Sequence, residues 1–80
     1  MKLANAIAER FRVLLEEKKI TRYRLAKDLI IAANTLQNFA DGKNSAGNIK
    51  TIFLICKGLG VSVSEFFDDP MFVDVGLDIE

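Results

Sequence analysis

Apolar residues recur along this chain at helical spacing. Ile7, Phe11, Leu14 and Leu15 stand at i, i+4, i+7 and i+8, one stripe of an amphipathic helix. The stripe predicts a first helix over about residues 4–18. Thr21 is a good N-cap for a second helix carrying Leu25, Ala26 and Leu29. A third segment holds Leu36, Phe39 and Ala40 and stops at Gly42, which suits a left-handed C-cap. Asn48 is placed to cap a fourth helix, with Ile49, Ile52, Phe53, Cys56 and Leu59 expected on its buried side and Gly60 at its end. The clearest local signal follows. Ser62 and Glu65 form an S-x-x-E capping box, and Val61 and Phe66 occupy the positions of a hydrophobic staple. A short fifth helix therefore begins there and ends before Pro70.

The period changes in the tail. Val73, Val75, Leu77 and Ile79 alternate with Asp74, Gly76, Asp78 and Glu80, which is strand spacing. A lone strand leaves backbone groups unpaired on both edges, so it needs a partner, most economically its own copy on another subunit. The other reading is a frayed acidic terminus. The pattern as a whole predicts an all-α protein: a compact five-helix bundle over residues 1–69, then an acidic C-terminal tail over 70–80. The tail is either unstructured or a strand at a dimer interface. The longest turn-rich loop is residues 42–48, GKNSAGN.

Composition removes several function classes. Eighty residues support one domain, and its core is small enough that a partner subunit often helps to stabilise such a chain. There is no histidine, hence no histidine general base, no Ser-His or Cys-His pair and no His-ligated metal. One cysteine closes neither an internal disulfide nor a zinc knuckle. Glu16-Glu17 and Asp68-Asp69 are adjacent pairs that diverge on a helix, so they suit a solvated surface better than acid/base work. No enzyme, metal, cofactor or small-molecule ligand is expected. Apolar runs reach only about five residues against the ~20 that span a bilayer. Asn5 and Glu9 interrupt any signal-peptide core, so the expectation is a cytoplasmic protein without a membrane.

The formal net charge is zero, which hides a gradient. Residues 1–44 hold nine Lys/Arg and five Asp/Glu, a balance of +4; residues 45–80 hold two and six, a balance of −4. Such asymmetry suggests a charged partner at the basic end.

Residues 21–43 read TRYRLAKDLIIAANTLQNFADGK and residues 55–67 read ICKGLGVSVSEFF. Together they resemble the lambda-repressor-like, Xre/Cro-type helix-turn-helix family over about residues 5–68. The matching positions are Thr21, Leu25, Ala26, Leu29, Ile31, Leu36, Phe39, Gly42, Lys43 and Leu59 to Ser62. The resemblance implies a helix-turn-helix, double-stranded DNA as partner, and residues 32–41 as the recognition helix.

Residue chemistry points the same way. On a helical wheel Ala32, Ala33, Leu36, Phe39 and Ala40 fall on one side; Asn34, Gln37, Asn38 and Asp41 fall on the other, beside Thr35. An isolated surface amide usually does no more than solvate. Three on one face offer bidentate contacts to adenine in the major groove, and Ala33 and Thr35 offer methyl contacts to thymine. The base-reading candidates are thus Ala33, Asn34, Thr35, Gln37 and Asn38. By the resemblance, the start of the second helix approaches the DNA backbone. That nominates Arg22, Tyr23 and Arg24 for phosphate, with Lys43 and Asn44 adding contacts after the recognition helix. Each is otherwise an ordinary surface residue.

Four positions depart from the family pattern. Ile30 replaces the turn glycine and Ala32 the polar cap, so residues 22–40 also fit one continuous helix. The bent form is preferred, because a small domain needs both segments on its core. Leu15 and Ala40 replace an arginine and a glutamate that pair in many members, and losing both leaves no unpaired buried charge. Asp41 sets an acid at the end of the recognition helix, where it repels phosphate or faces away. Cys56 is read as a packed apolar residue, with a redox role the alternative.

The expected function is a sequence-specific transcriptional regulator, a repressor binding a palindromic operator as a homodimer. The rival is a protein-interaction module on the same fold, of the antitoxin or anti-repressor kind, whose acidic half binds another protein.

Overall fold

The computed structural model describes residues 2–43 and 49–73. Five α-helices follow one another: α1 (Leu3–Lys18), α2 (Arg22–Leu29), α3 (Ala33–Ala40), α4 (Ile49–Leu59) and α5 (Val63–Phe66), then a 3-10 turn at Pro70–Phe72. The all-α expectation holds. Asn48 and Asn44, and the alternating tail from Asp74 onward, lie outside the described residues.

Two of the expected N-caps, Thr21 and Ser62, form. Thr21 Oγ1 accepts from the Arg24 N–H at 3.0 Å, and Ser62 Oγ accepts from the Glu65 N–H at 3.0 Å. These bonds satisfy donors that a helix start otherwise leaves open. Val61 and Phe66 are both buried, as a staple requires.

Four helices end in one way. Lys19, Ile30, Gly42 and Gly60 all have positive φ, between 55° and 78°. In each case the next residue's N–H reaches back five positions: Ile20 to Leu15, Ile31 to Ala26, Lys43 to Asn38 and Val61 to Cys56, all at 3.0 Å. This is the Schellman closure. The bent form is therefore real, and it forms without a turn glycine. Ile30 sits at φ 55°, ψ 48°, and is 94% exposed, so its side chain gains nothing from the core while its backbone is strained. Ala32, the N-cap of α3, makes no side-chain cap bond.

The core gathers Phe11 and Leu14 of α1, Leu25 of α2, Leu36 and Phe39 of α3, Ile52 and Ile55 of α4, and Phe66 of α5. Phe11 meets Phe39 edge to face with ring centroids 5.2 Å apart. Leu15 and Ala40 are both buried and apolar, and Arg12 of α1 donates to the carbonyl of Ala40. An arginine thus still ties α1 to the end of α3, through the backbone and not through an acid.

Helix α4 corrects an expectation. Ile49 and Phe53 were expected inside, yet they are 64% and 56% exposed, and Ile55 takes the buried place with Ile52, Cys56 and Leu59. Gly58 supplies the reason. A Cβ there would lie 2.5 Å from Leu25 Cδ1, so α2 approaches α4 across this glycine. That close approach turns the face bearing Ile55 and Gly58 inward.

Beyond α5 the chain stays attached. Phe66, Phe67 and Phe72 form two successive edge contacts at 5.0 Å, and Phe72 packs on the core. Asp69 Oδ1 accepts from the Met71 N–H at 3.0 Å, and Pro70 opens the turn.

Candidate nucleic-acid interface

The Schellman turn at Ile30 sets α3 against α2, and one side of α3 is left open among the described residues. Ala33, Asn34, Thr35 and Gln37 are exposed there, while Leu36, Phe39 and Ala40 are buried. Asn38 is half-buried, so of the three amides it stands least free. Ala33 was assigned to the apolar side of the wheel; it is exposed at the first turn of α3, open to a methyl contact.

An open groove of about 440 Å³ runs between the start of α2 and α3. It is lined by Leu15 and Ile20, by Thr21, Arg22 and Tyr23 at the start of α2, and by Ala33 and Gln37 of α3. The groove brings phosphate candidates and base-reading candidates to a single surface. The first N–H groups of α2 stand at its edge, where a helix start favours negative charge.

The other candidates differ in availability. Arg24 Nε lies 3.6 Å from Asp28 Oδ2 on the same helix, with both side chains largely exposed. This pair offsets the charge of Arg24, so Arg22 is the less encumbered arginine of that turn. Lys43 is exposed directly after α3.

Two features escaped the sequence reading. Gln37 Nε2 donates to both carboxylate oxygens of Asp41, at 3.1 and 3.0 Å. Asp41 therefore neither faces away nor stands alone. The spacing, glutamine four residues before an acid, was a visible signal. The second is Arg10, a buried cation on α1 that holds α5 and does not line the groove.

Cys56 is buried, and desolvation raises its thiol pKa, the opposite of what a redox sensor needs. Among the described residues no cluster of three His, Cys, Asp or Glu side chains is arranged for a metal. No helix among them is long and apolar enough to cross a membrane.

Two short helices joined by a tight turn, the second open on its outer face, define a helix-turn-helix domain. A family model for the Cro/C1-type HTH DNA-binding domain matches residues 10–70, and the chain belongs to that family. No curated protein and no solved structure matches it. It is a DNA-binding domain of the regulator type.

Proposed function

We propose that this protein is a sequence-specific transcriptional regulator that represses by occluding an operator. Two copies bind one roughly palindromic site, with each α3 in a major groove about 34 Å from the other. Asn34, Gln37 and Asn38 read base edges, and Ala33 and Thr35 touch thymine methyls. Arg22, Tyr23, Arg24, Lys43 and Asn44 hold phosphates, which set register and carry no sequence information. The observation that carries the reading is the groove, which Arg22 and Tyr23 line together with Ala33 and Gln37. The exposed pair Ile49 and Phe53, one turn apart on α4, supports a second copy as partner.

That same exposed pair, set in the acidic half of the chain, also favours a second reading in which the domain docks on another protein. Selection of bound duplexes from a random pool, followed by a salt titration on the selected site, separates the two. A DNA reader yields a two-fold site, and its affinity falls steeply between 50 and 200 mM salt as counterions are released. Failure to enrich any duplex at low salt would overturn the first reading and leave the second.

A further inference from the structure

Asp41 is badly placed for stability and for affinity. It is the C-cap of α3, where the helix dipole disfavours negative charge, and it adjoins a surface that must meet phosphate. Its side chain is exposed, so no burial explains it. What it does have is Gln37, whose Nε2 reaches both of its oxygens at 3.0–3.1 Å.

We infer that Asp41 is a specificity-determining positioning residue: it holds the Gln37 amide in one orientation, so that Gln37 selects bases bearing an exocyclic amino group. The inference rests on the reading of α3 as the base-reading helix. A carboxylate only accepts hydrogen bonds. The nitrogen end of the Gln37 amide must therefore turn to Asp41, and the oxygen end turns away. A free glutamine flips at small cost and presents donor or acceptor at either end. Held this way, it offers Oε1 to the N6 amino group of adenine or the N4 amino group of cytosine. A flip toward the keto oxygens of guanine or thymine sets Oε1 against the carboxylate, oxygen to oxygen. The carboxylate adds to the same bias, since it attracts an amino group and repels a keto oxygen. Asp41 thus trades affinity for discrimination, which accounts for an acid on a surface that meets DNA.

The test is duplex selection with the full chain as wild type, Gln37→Ala, Asp41→Ala and Asp41→Asn, with thermal midpoints measured alongside. Gln37→Ala identifies the position that Gln37 reads. The wild type should take adenine or cytosine there. Both Asp41 variants should admit guanine or thymine at that position alone, while binding the original site about 3- to 10-fold tighter at low salt. Without DNA, the side-chain amide resonance of Gln37 should move in Asp41→Asn at a thermal midpoint equal to or slightly above that of the wild type, as loss of an acid at the C-cap of α3 implies. A merely structural Asp41 lowers the midpoint when replaced and lowers affinity for every duplex, and that result overturns the proposal. So does an unaltered base profile in the Asp41 variants, a wild-type preference for guanine or thymine, or a Gln37→Ala profile that changes nowhere. If the wild type enriches no duplex, the base-reading role itself falls and takes this proposal with it. A wild type that selects a site whose Gln37-dependent position ignores Asp41 removes only the proposal.

Discussion

Arg10 Nε donates to the carbonyl oxygen of Phe66 at 2.7 Å, joining α1 to α5 across 56 residues of chain. Nη2 of the same guanidinium donates to the Glu65 carbonyl at 2.9 Å, and Nη1 lies 3.6 Å from Asp69 Oδ2. One planar fork thus takes up carbonyls at the end of α5 and approaches the acid that opens the 3-10 turn. Lysine cannot copy this, because its single ammonium has no fork. Arg10→Met should lower unfolding free energy by about 2–4 kcal/mol in urea, since it strands the buried Phe66 carbonyl as well as removing charge-assisted bonds. Arg10→Lys should recover less than half of that loss. Variants within about 0.5 kcal/mol of wild type would mean that the fork adds nothing net.

The strained turn offers a gain in stability. Ile30 has φ 55° and is almost wholly exposed. A left-handed β-branched residue costs about 1–2 kcal/mol, partly offset in a glycine variant by the extra freedom of its unfolded chain. Ile30→Gly should therefore stabilise the fold by about 0.5–1 kcal/mol. Ala32→Ser supplies the missing cap of α3 and should add about 1 kcal/mol. A melting curve that falls with either change would show the turn to be held by something other than local backbone preference.

Much of this fold is legible in the chain, and the exceptions have physical causes. Thr21 and Ser62 announce their helices because a short polar side chain satisfies an open N–H wherever it stands. The turn at Ile30 was hard to read because glycine is the usual mark of a left-handed residue. The better mark is the apolar residue that follows: Ile20, Ile31 and Val61 each come just after the left-handed position and pack on the core. The buried face of α4 was misread because Ile49, Ile52, Phe53, Leu54, Ile55, Cys56 and Leu59 support two overlapping stripes. The approach of Leu25 and Leu29 to Gly58 chooses between them, and those contacts join distant parts of the chain. In the candidate site, the wheel found the face of α3. It missed the bond along that face, because a wheel sorts residues by direction and not by mutual contact.

Cys56 makes a prediction about pH. Burial raises its thiol pKa, so the folded protein favours the neutral thiol. The unfolded chain ionises first, near an ordinary thiol value of about 8.5, and then binds fewer protons than the folded form. The contribution to stability is whole below that pH and is lost as pH rises toward the raised folded value. Cys56→Ala should thus flatten the alkaline limb of the stability curve. The native thiol should also react with a disulfide reagent only as fast as the protein opens. Rapid labelling at neutral pH without unfolding would contradict the burial.

The proposed assembly has two places to form. Ile49 and Phe53 present exposed apolar area on α4, and Val73 stands 78% exposed where the alternating tail begins. If a second copy covers the α4 face, Phe53→Lys should shift sedimentation from dimer to monomer. The thermal midpoint extrapolated to low protein concentration should stay unchanged, because a surface substitution usually alters stability by no more than about 0.5 kcal/mol. Affinity for a two-fold operator should drop steeply, since two linked half-sites bind far better than either alone. Affinity for an isolated half-site should hardly change. Truncation before Val73 separates the other possibility. If it produces monomers and Phe53→Lys does not, the tail is the assembling element and the α4 face is free for a different partner. A wild-type chain that sediments as a monomer even on its selected operator would exclude both, and would reduce the site to a single major groove.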